Sequence, residues 1–241
     1  MQGKATAIIV AAGKGVRMNA SKRKQYLHLG HDPVILHTVR VFSVCPNIGA
    51  IFLVVPPSDI DYCRELLTRS PGPDKIRHIV PGGDSRQASV YQGLLAVERA
   101  GLAAGVVAIH DGVRPLVRPD QVESCIDLAG TTGACVLAVP AQDTLKQVTS
   151  GASVISGTLP RTEIWFAQTP QAFRYDIIRK AHETAIEERV SGTDDAMLVE
   201  RMGIPVSVVP GSRHNIKITT PEDLALAEAL LSQASGHRKV E

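Results

Sequence analysis

The chain has 241 residues, 44% of them hydrophobic and 21% charged, an ordinary globular composition that excludes global disorder and suits one large domain or two small ones. A formal net charge of +2 and an aromatic content of 4% argue against a whole-protein field for nucleic acid and against a stacking platform for single strands, leaving room only for a local basic patch. No run approaches roughly 18 consecutive apolar residues, so no membrane span is expected.

Cys45, Cys63, Cys125 and Cys135 form no C-x-x-C pair and read as reduced core thiols rather than a zinc or redox motif. The stretch Met1-Gln2-Gly3-Lys4 has no signal- or transit-peptide character, and the default expectation is a cytoplasmic protein.

Strand and helix patterns alternate along the chain. Continuously apolar runs at Ala5–Val10, Ala50–Val55, Ile76–Val80, Gly105–His110 and Ala134–Val139 predict strands buried on both faces. Helical patterns lie between them at Pro33–Cys45, Ser58–Arg69 (opening with Ser58 and Asp61 in capping-box spacing), Asp84–Ala100 and Pro119–Ala129. This order predicts a mostly parallel twisted sheet with helices on both faces. The alternation breaks at 141–166, read as an extended arm. Helices are expected again at Tyr175–Val190 and Thr193–Met202, strands at Pro205–Val209 and Asn215–Thr219. A last helix is capped by Thr220, with Pro221 in its first position, and runs through Glu222–Leu231. Residues 1–231 are expected to form one domain and 232–241 a flexible polar tail.

The first strand runs into Ala11-Ala12-Gly13-Lys14-Gly15-Val16-Arg17-Met18, at the edge where open α/β sheets bind ligands. Met18 replaces the last glycine of a dinucleotide fingerprint, and no G-K-[ST] follows, so a P-loop is excluded as well. What remains is a small-residue turn followed by the fixed charge of Arg17, which suits phosphate or is simply a tight βα turn. Five cations fall between Lys14 and Lys24, either a solvated face or a polyphosphate contact. His110-Asp111-Gly112-Val113-Arg114 ends another strand; Asp111 could hold a metal or a hydroxyl and Arg114 a phosphate, or the two could form a salt bridge. In Gly82-Gly83-Asp84-Ser85-Arg86-Gln87-Ala88-Ser89, Asp84 with Gln87 fits a helix cap, and Ser89 could face a ligand. Arg161, Gln168–Gln171, Thr193–Asp195 and Asn215–Lys217 are weaker singly; Thr193 reads equally as an N-cap and Lys217 as an edge residue. G-x-S-x-G, H-E-x-x-H and a catalytic Cys/His pairing are absent.

In combination these segments resemble the 2-C-methyl-D-erythritol 4-phosphate cytidylyltransferase family from about Ala5 to Leu231. The resemblance rests on A-A-G-x-G-x-R-M, K-Q-Y-L, G-G-D with a downstream serine and H-D-x-x-R-P. It continues with Asp143-Thr144-x-Lys146, Arg161, Thr169-Pro170-Gln171, Thr193-Asp194 and N-I-K-I-T before Pro221-Glu222-Asp223-Leu224. Gly112-Val113 departs from the two alanines of some members, at uncharged positions. The resemblance implies a Rossmann-like nucleotidyltransferase that joins CMP from CTP to 2-C-methyl-D-erythritol 4-phosphate and releases pyrophosphate, with Mg²⁺ carried largely by the CTP phosphates. It also implies a homodimer in which the arm reaches the neighbour's site. By the same resemblance, Arg17 and Lys24 stabilise the transition state and Arg161 and Lys217 position the attacking phosphate. Asp111, Arg114, Thr144, Thr169 and Thr193 hold the sugar phosphate, and Ala11, Ala12, Gly13, Gly15, Gly83, Asp84 and Ser89 hold CTP. A ribitol-5-phosphate cytidylyltransferase and a nucleotide-binding module without turnover are the alternatives. Neither a nucleic acid nor a membrane is an expected partner.

Overall fold

The computed structural model describes residues 4–13, 23–70, 72, 74–151 and 153–237. In chain order its elements are β1 (Ala5–Val10), the short hairpin β2 (His28–Leu29) and β3 (Asp32–Pro33), α1 (Val34–Val44), β4 (Ile48–Val55), α2 (Ile60–Arg69), β5 (Ile76–Pro81), α3 (Arg86–Arg99), β6 (Val106–Asp111), α4 (Pro119–Thr132) and β7 (Ala134–Pro140). The arm hairpin β8 (Leu145–Val148) and β9 (Ile155–Leu159) follows, then β10 (Trp165–Arg174), α5 (Tyr175–Glu187), α6 (Asp195–Glu200), β11 (Ser207–Pro210) and α7 (Pro221–His237).

Seven strands form one sheet in the order β11-β7-β10-β6-β1-β4-β5. All neighbours pair in parallel except β10, which runs antiparallel to both β6 and β7. The sheet is sandwiched as its apolar runs require. Ala7, Ile9, Leu53 and Ala108 face α1, α2 and α4, with Phe42, Cys125 and Ile126 among the buried partners. Ile8, Val54 and Ile109 face α3, α5 and α6, with Leu94, Phe173 and Leu198. The chain leaves β1 towards β4 and β5, then returns to place β6 on the other side of β1. The switch point therefore lies between the carboxyl ends of β1 and β6, where a crevice opens.

Several sequence expectations change. Ile76–Pro81 is an edge strand with Arg77 and His78 exposed rather than a strand covered on both faces. Residues 165–174 form a central strand that the sequence pattern did not show; its register shifts between Ala167 and Gln171, around the cis Thr169–Pro170 bond. A proline without a ladder donor sits at that irregularity, as its chemistry requires. Asn215–Thr219 is irregular, not a strand; Ile218 N–H bonds the Val113 carbonyl at 2.9 Å, and Ile216 and Ile218 pack in a satellite core with Leu29, Val34 and Ala227. α2 begins at Ile60 without the Ser58–Asp61 box: Ser58 Oγ bonds Asp59 at 2.7 Å instead. The Thr220 cap is present, with Asp223 accepting both Thr219 and Thr220 N–H groups. α7 continues to His237, so the first part of the expected flexible tail 232–241 is helical; residues 238–241 lie outside the described residues.

Candidate active site

A cleft of about 280 Å³ opens at the switch point, lined by Ala11, Ala12 and Gly13 after β1, Gly83 to Arg86 and Ser89 around the start of α3, Lys24 and Gln25, and Asp111 and Lys217. Its first wall is braced by the backbone. Ala11 donates its N–H to the Val54 carbonyl at 2.7 Å, and its own carbonyl accepts the buried side-chain amide of Gln25 at 2.7 Å. The second wall depends on close approach. A Cβ on Gly82 would collide with that of Ala12 and stand 3.0 Å from Ser89 Oγ, and one on Gly83 would stand 2.7 Å from Ala88 Cβ. Gly83 N–H donates to Ser89 Oγ at 3.1 Å, and that hydroxyl donates to the Ser85 carbonyl at 2.8 Å. The cap of α3 is Ser85, whose Oγ accepts Ala88 N–H, rather than the Asp84–Gln87 pair. Gln87 reaches across to the Val190 carbonyl and Gly192 N–H instead, and Asp84 is left exposed at the cleft.

The floor is a charge cluster. Asp111 Oδ2 lies 2.7 Å from Lys217 Nζ, and Oδ1 accepts Arg86 Nε at 3.1 Å. Arg114 Nε stands farther off, 3.8 Å from Oδ2, so the alternative of an Asp111–Arg114 salt bridge is met only by the longest of the three contacts. Arg114 donates to the Asn215 carbonyl at 2.6 Å. Burial by itself would raise the Asp111 pKa; the charges of Arg86, Lys217 and Arg114 outweigh it and hold the carboxyl well below the usual carboxylate range. Arg86 NH1 forms a 2.8 Å ion pair with Asp195, whose other oxygen lies 3.1 Å from Nε2 of the buried His182. Three cations against two carboxylates leave the cluster positive, at the floor of a small-residue cleft. Beyond Lys217 a shallower hollow of about 310 Å³ is lined by Arg114, Gln168, Arg213 and Asn215 among others.

The structure thus joins Ala11, Ala12, Gly13, Lys24, Gly83, Asp84, Ser89, Asp111 and Lys217 at one cleft, with Arg114 and Thr169 directly behind Asp111. It does not bring three others there. Thr144 and Arg161 lie exposed at the arm, Arg161 donating to the Gln142 carbonyl at 2.6 Å. Thr193 is exposed, and the cap of α6 is Asp194, which accepts Met197 N–H. Arg17 and Gly15 lie outside the described residues. Arg23, one of the five clustered cations, pairs with Asp59 at 3.2 Å rather than facing the cleft. Sequence reasoning missed Arg86, Gln25, Gln171 and His182. Arg86, Gln25 and Gln171 stood within motifs already singled out, Gln171 holding Asp194, Asp195 N–H and Ala196 N–H; nothing local marked His182.

A larger hollow of about 650 Å³ lies at the amino ends of the strands, near Lys4, Asn47 and Arg174. Its polar groups bond among themselves, Arg174 to Asp176 and Asn47 to Asp127, and no residue selected from sequence lines it. For a cation, the described residues hold no cluster of three or more His, Cys, Asp or Glu side chains that could bind a metal ion. The carboxylates at the cleft are Asp84 and Asp111, the latter with cations at both oxygens. This donor set fits an ion that keeps its waters and takes most ligands from substrate phosphates.

The family model described as IspD, 2-C-methyl-D-erythritol 4-phosphate cytidylyltransferase, matches residues 5–233. A protein of that name from Geobacter metallireducens is 49% identical over 227 residues, covering 94% of this chain and 97% of the relative. One from Geotalea uraniireducens is 48% identical over 233 residues, covering 97% and 99%. Among solved structures, 4-diphosphocytidyl-2C-methyl-D-erythritol synthase from Anaerococcus prevotii superposes with a TM-score of 0.83 at 31% identity, covering 95% of this chain and 96% of that one. On sequence and fold together, the chain belongs to the 2-C-methyl-D-erythritol 4-phosphate cytidylyltransferase family.

Proposed function

We propose that the chain transfers CMP from CTP to 2-C-methyl-D-erythritol 4-phosphate, giving 4-diphosphocytidyl-2-C-methyl-D-erythritol and pyrophosphate. The observation that carries this reading is the meeting, in one cleft, of the small-residue walls Ala11–Gly13 and Gly83–Ser89 with Lys24 and the positive cluster around Asp111. A phosphate monoester has its second pKa near about 6 and is mostly dianionic at neutral pH, so it attacks without a general base. Its oxygen forms a bond to the α-phosphorus of CTP, the bond from that phosphorus to the bridging oxygen breaks, and pyrophosphate leaves with the electron pair. The difficulty is bringing two polyanions together and stabilising charge as it spreads at phosphorus. Preorganised cations answer it.

In this reading Ala11, Ala12, Gly13, Gly83, Asp84 and Ser89 hold the nucleotide, with Gly15 beyond the described residues. Lys24, together with Arg17, meets the charge developing at the α-phosphate. Lys217 positions the attacking phosphate, and Asp111, Arg114 and Thr169 border the acceptor. Asp111 and Asp84, the carboxylates at the cleft, would be the protein groups nearest a Mg²⁺ carried on the CTP phosphates, which would supply further charge neutralisation there.

Thr144, Arg161 and Thr193 line no part of the cleft. For the first two we infer a homodimer in which the arm of one chain completes the cleft of the other. Val148, Val154, Ile155, Leu159, Trp165 and Phe166 stand exposed along that arm, and a twofold-related copy would cover them. All four cysteines are free and buried, which suits a cytoplasmic enzyme. The test is pyrophosphate release: the chain with CTP and Mg²⁺ should release pyrophosphate only when the acceptor phosphate is added, and release that ignores the acceptor would contradict the reading.

A further inference from the structure

Lys217 has no strand ladder to fix it. It stands on the irregular segment after Asn215, its side chain has four rotatable bonds, and it is partly open to solvent. What holds Nζ at the cleft is Asp111, 2.7 Å away. Asp111 is in turn gripped at its other oxygen by Arg86 at 3.1 Å, and Arg86 is pinned from behind by Asp195 at 2.8 Å. Asp195 is fixed by His182 of α5 through its side chain and by Gln171 of β10 through its N–H, both buried. An unbroken line of side chains therefore runs from the buried His182 to Lys217 Nζ at the cleft.

We propose that Arg86 is a positioning residue for the transfer: by bridging Asp195 to Asp111 it fixes the carboxylate that aims Lys217 at the attacking phosphate. The inference rests on the role given to Lys217 above. Arginine suits this position because its planar fork reaches two carboxylates at once, whereas a lysine ammonium placed here engages one well and releases the other. Burial would depress the basicity of Arg86, and the two carboxylates outweigh it, so the guanidinium stays charged. Freed of Arg86, Asp111 would keep an oxygen open to competing donors, and Lys217 would follow the carboxylate. The same first turn of α3 carries Gln87, which holds Val190 and Gly192. Arg86 thus acts where the nucleotide wall meets the loop leading to Asp195.

The experiment is a kinetic double-mutant cycle on the full chain with Arg86→Lys, Lys217→Gln and the pair. Arg86→Lys keeps the half-buried charge, so the fold is retained where Arg86→Ala would strand two carboxylates; thermal unfolding checks this. Arg86→Lys should lower kcat roughly 10-fold or more, with KM for CTP changed less than about 3-fold. In the Lys217→Gln background the same change should cost less than about 3-fold, because residues acting through one network are not additive. Equal loss in both backgrounds, normal activity of Arg86→Lys, or an effect confined to KM for CTP would overturn the proposal. If Lys217→Gln alone leaves kcat and the acceptor KM unchanged, the role of Lys217 fails first, and the inference goes with it.

Discussion

Thr169 Oγ1 lies 3.1 Å from Nδ1 of His110. The other ring nitrogen, Nε2, faces the Arg114 carbonyl at 3.0 Å. A carbonyl only accepts, so Nε2 carries the proton and Nδ1 accepts from the Thr169 hydroxyl. The lone pairs of that hydroxyl are left for Asp111 N–H, 3.1 Å away. The neutral ring is fully paired, and a proton on Nδ1 would break the arrangement. Burial pushes the His110 pKa down to about 4.

The unfolded chain binds this proton near the ordinary value of about 6.5, before the folded chain does. Stability is full above that pH, falls as pH drops, and has lost roughly 3 kcal/mol once pH reaches about 4. Denaturant unfolding between pH 7 and 4 should show this slope, and His110→Gln should flatten it. An equally steep slope in the variant would place the titrating group elsewhere.

Asp111 responds lower on the pH scale. Its carboxyl is held below the usual range, so its stabilisation is present above about pH 4 and lost as pH falls further. Asp111→Asn leaves Arg86 and Lys217 without their shared partner and should cost about 1–3 kcal/mol at pH 7. The wild-type and variant unfolding curves should converge in acid. A constant gap at all pH values would mean that packing, not charge, accounts for the loss.

Gly82 is needed for close approach rather than for a positive φ. Gly82→Ala would push its Cβ into Ala12 and towards Ser89 Oγ, an overpacking worth about 1–3 kcal/mol. Because both neighbours line the cleft wall proposed to hold CTP, KM for CTP should rise roughly 10-fold, more than kcat falls. Steady-state kinetics at varied CTP decide this, and an unchanged KM would contradict the assignment of that wall.

The proposed dimer makes a complementation prediction. Arg161→Ala and Lys24→Ala chains should each be nearly inactive, since losing one fixed transition-state charge costs about 10²–10³ in turnover. In mixed dimers one site then carries both changes and the other neither, so activity should return. No recovery in verified mixed dimers would place Arg161 in its own chain's site.

The sequence carried the parts of the fold that repeat a local period. The apolar runs of β1, β4 and β6 and the small-residue turn at Ala11–Gly13 could be read directly, because burial on both faces leaves one pattern. Alternation in Asn215-Ile216-Lys217-Ile218 misled: Ile216 and Ile218 face a satellite core, not a sheet. β10 was hidden by Gln168-Thr169-Pro170-Gln171, polar residues that become buried only through partners far along the chain, Asn215 for Gln168 and Asp194 for Gln171. Arg86 was invisible as a site residue for the same reason. Nothing near it in sequence shows that Asp111 and Asp195 converge on one guanidinium.

The choice of acceptor decides which cytidylyl transfer this cleft performs. With CTP and Mg²⁺ fixed, kcat/KM should be measured for 2-C-methyl-D-erythritol 4-phosphate and for ribitol 5-phosphate in the same preparation. Turnover with the first should exceed turnover with the second by roughly 10²-fold or more, the discrimination a site gains when an alcohol of the wrong shape leaves its polar groups unpaired. Equal or faster turnover of ribitol 5-phosphate would contradict it.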